Sequence, residues 1–296
     1  MERLRLPLTR SAGGWLCRSL VVACGITHTR GDSVGKLEGK IAVVTGASRG
    51  IGAEIARRFG AAGATVAATA RTTEAGQSPF EGTLGETVEA IERAGGKACP
   101  FAADLNRPED RERLASEVQR TLGDPDILVN NAAVTFLLPV ATFPRRRADV
   151  MFEIQVLAPM DLAQRFLPAM RERKSGWILN ISSGAAQHPR EPFTDGMSVF
   201  TVYGMCKAAL ERFSTGLACE VKADGVAVNA LSPAGLVPTA GTGAHKLEEQ
   251  MPGVALEAPA VMAEAALALC SGDPGKLSGR VVYSQPLLDE LGRSPA

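Results

Sequence analysis

The sequence predicts a single α/β domain built on a doubly wound, mostly parallel seven-stranded sheet with helices on both faces. Short apolar runs of the kind that form buried strands alternate with helical stretches along the chain. A glycine-rich turn follows the first of these runs directly, and 296 residues with 45% hydrophobic content are enough for one large domain. The predicted strands lie near residues 41–45, 65–70, 97–103, 126–130, 177–182, 225–231 and 280–284.

The glycine-rich turn has the features of a phosphate-binding segment. The apolar run Ile41-Ala42-Val43-Val44 leads into Thr45-Gly46-Ala47-Ser48-Arg49-Gly50-Ile51-Gly52, and a helical stretch follows from Ala53 to Ala62. A strand, a tight turn and a helix in this order direct backbone N–H groups and a helix N-terminus at a pyrophosphate. Gly46 permits the turn, Gly50 permits close approach of the phosphates, and Gly52 permits the helix to pack on the strand. The segment therefore predicts a dinucleotide site.

The same turn also contains the Gly-x-Ser-x-Gly pattern of a serine hydrolase, with Ser48 as the candidate nucleophile. A hydrolase needs a histidine base after the serine, and His245 lies in a Gly/Thr-rich segment that could supply one. This alternative leaves Gly52, Tyr203 and Lys207 without a role.

Tyr203 and Lys207 lie one helical turn apart in a helical stretch from about Val202 to Val221. Residues i and i+4 share a helix face, so the phenol and the ammonium can point into one cleft. A lysine ammonium about 5 Å from a phenol, at an effective dielectric of about 20, lowers the phenol pKa by about two units. The pair therefore predicts a tyrosine that serves as general acid and base.

Two further strands end in polar residues, namely Asn130-Asn131-Ala132-Ala133 and Ser182-Ser183. With these segments, the order Thr-Gly-x-x-x-Gly-x-Gly, Asn-Asn-Ala, Ser and Tyr-x-x-x-Lys resembles the short-chain dehydrogenase/reductase family. The resemblance runs from about Leu37 to about Leu288. It implies a Rossmann-type fold and an enzyme that moves a hydride between a nicotinamide cofactor and a carbonyl carbon.

The resemblance also implies the catalytic roles. Tyr203 becomes the general acid/base, Lys207 its activator and Ser183 the donor to the carbonyl oxygen, whereas Ser182 is not expected to take that role. Gln155 stands at the fourth catalytic position, where the family usually has an Asn whose backbone carbonyl holds a relay water. The residues expected to bind the cofactor are Gly46, Ser48, Arg49, Gly50, Ile51, Gly52, Arg71, Asp104, Asn131, Tyr203, Lys207 and Pro233.

The chain departs from the family pattern near the nicotinamide. Ala133 stands where the family often has glycine, and we expect a small backbone adjustment there. The segment Pro233-Ala234-Gly235 replaces the usual Pro-Gly, which makes Thr239 a less secure contact than Pro233.

The residues after the second predicted strand favour NADP(H) over NAD(H). NAD-binding proteins of this type place an acid there, but here Arg71 follows Ala70 and Arg49 lies in the glycine turn. Two guanidinium groups suit a 2′-phosphate. The alternative is that Arg71 is a solvated loop charge. Asp104 resembles the family residue that accepts from the adenine amine.

These observations predict a carbonyl reductase or alcohol dehydrogenase that uses NADP(H), with a small-molecule substrate that the sequence does not identify. The resemblance implies that the segments 184–202 and 235–251 form the substrate mouth, with a surface excursion as the alternative for residues 184–202. A 3-oxoacyl or enoyl thioester reductase is the rival enzyme. A catalytically silent NADP(H)-binding sensor or scaffold is the rival of another class, which the glutamine at position 155 makes conceivable.

Composition sets the remaining expectations. The 32 basic and 32 acidic residues balance, so no nucleic-acid surface is implied, and the six cysteines lack CxxC or metal-ligand spacing. Residues 1–36 are predicted to be a weakly ordered extension before a domain at 37–296, with neither a membrane span nor a signal peptide. We expect a cytoplasmic homodimer or homotetramer, with a mitochondrial transit peptide in the Arg-rich, acid-poor extension as the alternative.

Overall fold

A computed structural model describes residues 35–191, 199–251 and 253–295 of the chain. In this part the strands are β1 Ile41–Thr45, β2 Thr65–Ala70, β3 Lys97–Ala102, β4 Ile127–Asn130, β5 Gly176–Ile181, β6 Val226–Ser232 and β7 Val281–Tyr283. The helices are α1 Gly50–Ala61, α2 Leu84–Arg93, α3 Pro108–Leu122, α4 Arg145–Phe152, α5 Ala158–Glu172, α6 Thr201–Glu220, α7 Ala240–Ala244, α8 Leu247–Gln250, α9 Pro259–Ser271 and α10 Ser284–Glu290.

The strands form one sheet in the order β3-β2-β1-β4-β5-β6-β7, and every neighbouring pair is parallel. The chain adds β2 and β3 on one side of β1 and then returns to place β4 on the other side. This reversal creates a switch point at the carboxyl ends of β1 and β4, where open α/β sheets bind their ligands. The predicted doubly wound fold is confirmed.

Helices cover the sheet on both faces, so each strand is apolar on two sides. One core joins the sheet to α1, α2, α9 and α10, with Phe59 and Ile91 among its buried side chains. The other core joins it to α3, α5 and α6, with Leu114 and Phe166 at its centre. The two cores fix the carboxyl ends of the strands in one row, and the polar residues that follow the strands meet along that edge.

Some details differ from the sequence-based prediction. Strand β5 ends at Ile181, so Ser182 and Ser183 belong to the following loop rather than to the strand. Between α4 and α5 the helix widens into a π turn at Glu153–Leu157, which the sequence did not predict. The proposed boundary at residue 36 falls at the edge of the described residues, and residues 1–34 lie outside them. No helix in the described ranges combines the length and the apolar character needed to cross a bilayer.

Candidate active site

The glycine-rich turn packs closely against the residue that follows β4. Gly46 has a φ of +68°, and a Cβ on it would lie 2.8 Å from Asn131 Nδ2. A Cβ on Gly52 would collide with the same amide and with the Gly46 carbonyl oxygen. The Asn131 amide nitrogen Nδ2 donates to the Thr45 carbonyl oxygen at 2.9 Å, and its backbone N–H donates to Thr45 Oγ1 at 2.9 Å. The structure thus places Asn131 as a brace for the turn.

The turn leaves the start of α1 open to an anion. Arg49 is the N-cap residue, and its side chain makes no capping hydrogen bond. The first turn of α1 contains no acidic residue, so its backbone N–H groups and the positive end of the helix dipole favour a phosphate there. Ser48 is buried within the turn, and Ile51 packs on the adjacent core. This cradle fits the pyrophosphate of a dinucleotide.

The Arg49 guanidinium is held by the loop between β2 and α2. Its two terminal nitrogens donate to Ser78 Oγ at 3.1 Å and to the Gly82 carbonyl oxygen at 2.8 Å. The guanidinium carbon lies 5.8 Å from the centre of the Phe80 ring. Burial and the nearby Arg71 lower the pKa of Arg49, although Glu86 opposes them. The buried Nε of Arg49 has no hydrogen-bond partner among the described residues.

Arg71 is exposed at the end of β2, close enough to Arg49 for the two charges to interact. Two cations of like charge and one unpartnered N–H group fit a phosphate group at this edge of the sheet. Sequence reasoning found both arginines but missed the loop residues that hold Arg49. The Ser, Pro and Gly residues between positions 78 and 82 are typical of a turn. They do not indicate that this turn binds the Arg49 guanidinium.

Asp104 follows β3 and is half-buried. Its Oδ1 accepts from the Asn106 N–H at 3.1 Å, and its own backbone N–H donates to Asp110 Oδ2 at 2.9 Å. The carboxylate thus stabilises the turn into α3 and retains a second oxygen. Its proposed contact with adenine stays a prediction.

The segment after β6 is held by a buried carboxylate that sequence reasoning missed. The Ala234 N–H lies 2.9 Å from Glu257 Oε2 and 3.0 Å from Ser284 Oγ, and the serine hydroxyl also donates to Glu257. These bonds fix the Pro-Ala-Gly segment that starts at Pro233. Farther along, the Cγ2 atom of Thr239 lies near Gly50, so the segment closes over the glycine turn. Glu257 carried no recognisable motif, because only the fold brings it to Ala234.

The structure brings Ser183, Tyr203 and Lys207 together at the carboxyl end of β5. The Ser183 hydroxyl lies close enough to the Tyr203 hydroxyl to lower the phenol pKa by hydrogen bonding, and its oxygen also accepts the Ala185 N–H at 3.2 Å. The buried Lys207 ammonium donates to the Ile181 carbonyl oxygen at 2.8 Å and lies 5.6 Å from the centre of the Tyr203 ring. Ser182 points elsewhere, since its Oγ donates to Glu211 Oε1 at 2.7 Å.

Burial has the largest effect on the pKa values of Tyr203 and Lys207. It raises the pKa of Tyr203 to about 12, although the hydrogen bond from Ser183 acts in the opposite direction. Burial also lowers the pKa of Lys207 to about 8, opposed by Cys206 and Glu211. The lowering of the phenol pKa that was expected from Lys207 is therefore not seen in the chain without its cofactor. Desolvation of the phenolate outweighs the attraction of the ammonium.

Gln155 lies inside the π turn and is buried. Its Nε2 donates to the Val134 carbonyl oxygen at 3.0 Å, whereas its buried Oε1 has no partner among the described residues. The π turn packs against α6. Gln155 thus braces the loop after β4 and keeps one acceptor oxygen available.

The described residues give no support to the hydrolase alternative or to a metal site. His245 Nε2 lies 3.1 Å from the Thr135 carbonyl oxygen, on the loop that follows β4. Within residues 35–191, 199–251 and 253–295, no three or more His, Cys, Asp or Glu side chains are grouped so that they could hold a metal ion.

Comparison with known proteins identifies the class. The profile of the short chain dehydrogenases matches residues 40–250. A short chain dehydrogenase of Pseudocercospora fijiensis is 38% identical over 202 residues, which are 67% of this chain and 60% of the relative. Hydroxysteroid dehydrogenase-like protein 2 of Xenopus tropicalis is 32% identical over 266 residues, 88% of this chain and 60% of the relative. The chain thus spans about 60% of the length of these two relatives.

A solved structure agrees with this class. The angucycline C-6 ketoreductase LanV with bound NADP superimposes with a TM-score of 0.73 at 30% identity, covering 87% of this chain and 97% of that one. The chain belongs to the short-chain dehydrogenase/reductase family. The alternative of a serine hydrolase is therefore wrong.

Proposed function

We propose that the protein interconverts a carbonyl and an alcohol with NADP(H), and that Tyr203 is the general acid/base. The observation that carries this proposal is the hydrogen-bonded pair of Ser183 and Tyr203 beside the anchored Lys207 ammonium. Two neighbouring hydroxyl groups can both donate to a single carbonyl oxygen placed beside them, where negative charge develops during reduction.

Separate groups of residues would bind the cofactor and transfer the proton. The glycine turn, the start of α1 and the Arg49–Arg71 pair would hold the cofactor, which supplies a hydride at the nicotinamide C4. Ser183 donates to the substrate oxygen, and Tyr203 gives that oxygen its proton. Lys207 holds positive charge next to the phenol, and the backbone carbonyl of Gln155 would hold the relay water through which protons return from solvent. In the oxidation direction Tyr203 accepts the proton as a phenolate.

The pKa of the phenol determines which form of Tyr203 is present in the free enzyme at neutral pH. Because burial raises the pKa of Tyr203 to about 12, the residue is protonated at pH 7 and ready to donate. Oxidation requires the phenolate, which the positive charge of the oxidised nicotinamide would favour. The protonated form of the free enzyme is therefore the one that acts in reduction, and the direction of net turnover depends on the concentrations of cofactor and substrate.

The two arginines support NADP(H) as the cofactor, and several solved relatives carry bound NADP. We expect Arg71→Asp to reverse the preference, because the carboxylate would repel a 2′-phosphate and accept from a free 2′-hydroxyl. Charge-assisted hydrogen bonds are worth about 1.5–3 kcal/mol, so NADPH should bind at least roughly tenfold more tightly than NADH in the wild type. Fluorescence titration of both cofactors measures the ratio.

Arg93→Asp is the matched control, because Arg93 is an exposed arginine at the far end of α2. It should leave the ratio of the two dissociation constants unchanged. Equal affinities of the wild type for NADPH and NADH, or an unchanged ratio in Arg71→Asp, would contradict the assignment of Arg71.

A substrate panel tests the proposed reaction against its rivals. Aldehydes, ketones and 3-oxoacyl and enoyl thioesters are supplied with NADPH, and alcohols with NADP⁺, while absorbance at 340 nm follows the cofactor. The proposal expects turnover of simple carbonyls, and a preference for thioesters would select the rival enzyme. Tight NADPH binding without any turnover would favour the sensor.

A second copy of the chain is the proposed protein partner. Leu157, Met160 and Met205 are exposed apolar side chains on the π turn, α5 and α6, and burial of such side chains favours association. Homodimer or homotetramer formation, the cytoplasmic location and the domain boundary at residue 36 stay predictions.

A further inference from the structure

Glu211 extends the catalytic face of α6 by one more turn. Tyr203, Lys207 and Glu211 are spaced at i, i+4 and i+8, so their side chains share one face of the helix. Glu211 Oε1 accepts the hydroxyl of Ser182 at 2.7 Å. Ser182 directly follows Ile181, whose carbonyl oxygen accepts the Lys207 ammonium. The loop after β5 therefore ties the carboxylate and the ammonium to adjacent residues.

The surroundings of Lys207 include the carboxyl group of Glu211 and the thiol of Cys206. Cys206 and Glu211 both favour the charged lysine, and burial opposes them. However, burial raises the pKa of the Cys206 thiol to about 11, so this group is neutral near pH 8 and supplies no charge. Burial also raises the pKa of Glu211, but the hydrogen bond from Ser182 and the charge of Lys207 lower it.

Glu211 also lines a recess of about 380 Å³ beside the loop that follows β5. His188 and Arg190 from the loop after β5, Arg212 from α6 and Val281 from β7 line this recess with it. Tyr283 of β7 lies near enough that Glu211, after burial, raises the pKa of its phenol. The half-buried carboxylate thus borders this recess and is hydrogen-bonded to the residue that follows the one binding the Lys207 ammonium.

We propose that Glu211 is a positioning residue that keeps the Lys207 ammonium charged and in place. A carboxylate fixed by Ser182 on the same helix face offsets part of the desolvation that Lys207 incurs on burial. Lys207 remains the group that acts on Tyr203, and Glu211 acts through it. The part of the test that measures turnover rests on the proposed function. The charge of Lys207 is a property of the chain itself and is measured without turnover.

The test compares Glu211→Gln with Glu211→Asp. The glutamine retains an acceptor for Ser182 but loses the charge, whereas aspartate retains the charge. Glu220→Gln is the control, because Glu220 is an exposed glutamate at the end of the same helix. NMR of ¹³C-lysine-labelled protein follows the titration of Lys207 between pH 6 and 10 without cofactor or substrate, and the signal is assigned by its loss in Lys207→Met.

The proposal expects Lys207 to titrate near pH 8 in the wild type and on the order of one pH unit lower in Glu211→Gln, the size expected for one charge a helical turn away. Glu211→Asp should restore most of the shift, and Glu220→Gln should show none. Where turnover is available, the alkaline limb of the kcat/KM profile should move to lower pH by the same amount.

A folded Glu211→Gln whose Lys207 titrates as in the wild type would overturn the proposal, and so would an equal shift in Glu220→Gln. If Glu211→Gln does not fold, Ser182→Ala provides the second variant. It releases the carboxylate from its position, so Lys207 should again titrate at lower pH, and an unchanged titration would overturn the proposal. Absence of turnover by the wild type on every substrate would refute the proposed function. The NMR result would still decide the proposal about Glu211.

Discussion

Tyr203→Phe is expected to lower kcat by at least 10²-fold while the dissociation constant of NADPH stays within a few-fold of the wild type. Removal of a general acid typically costs 10²–10⁴-fold, because the developing oxyanion then has no positioned proton donor. The ring itself is retained, so its contacts with Phe200 and Lys207 remain. Steady-state kinetics and NADPH fluorescence titration measure the two quantities.

Tyr283→Phe is the matched control, since Tyr203 and Tyr283 are the two tyrosines of the chain. Tyr283 lies in β7, and the side chains that affect its pKa, after burial, are Glu211, by its charge, and Gln187, by hydrogen bonding. We expect it to retain most of the wild-type rate. A Tyr203→Phe enzyme with most of its activity would refute the assignment of the acid/base, and a simultaneous loss of NADPH binding would indicate a structural role instead.

Ser183→Ala should produce the second large effect, a fall in kcat of about 10²-fold or more. Its hydroxyl is hydrogen-bonded to Tyr203, and the loss of one preorganised donor to an oxyanion has a cost of this order. Ser182→Ala is expected to be much milder at pH 7, because the Ser182 hydroxyl donates to Glu211 and faces away from the phenol. Kinetics of the two alanine variants at pH 7 make the comparison.

The two neighbouring serines thus form an internal control. If Ser182→Ala were the damaging change and Ser183→Ala the mild one, the donor to the carbonyl oxygen would have been assigned to the wrong residue. Equal, small effects would remove both hydroxyl groups from the chemistry.

The sheet was predictable because its strands are buried on both faces. Runs such as Ile41–Thr45 and Val226–Ser232 consist mostly of apolar residues, and their bounds were predicted to within about a residue. The order of motifs along the chain also located Ser183, Tyr203 and Lys207, because each follows a recognisable strand or helix. The structure adds that they contact one another.

The contacts that depend on packing could not be predicted. The π turn at Gln155 has no sequence signature that separates it from an ordinary helix, and Glu257 reaches Ala234 from 23 residues away. Sequence reasoning also expected Lys207 to lower the pKa of the Tyr203 phenol, from charge alone. It lacked the burial of the ring, which raises the pKa instead. Burial is a property of the assembled fold, so no local pattern reports it.

Transfer of an isotope from the cofactor tests the central claim most directly. NADPH that carries deuterium at the reactive C4 position is incubated with the enzyme and the best carbonyl of the panel, and the alcohol is analysed by mass spectrometry and NMR. The account predicts one deuterium on the carbinol carbon, delivered to one face, and formation of this product at least about 10²-fold more slowly with Tyr203→Phe. An alcohol whose carbinol carbon carries only solvent hydrogen would contradict it.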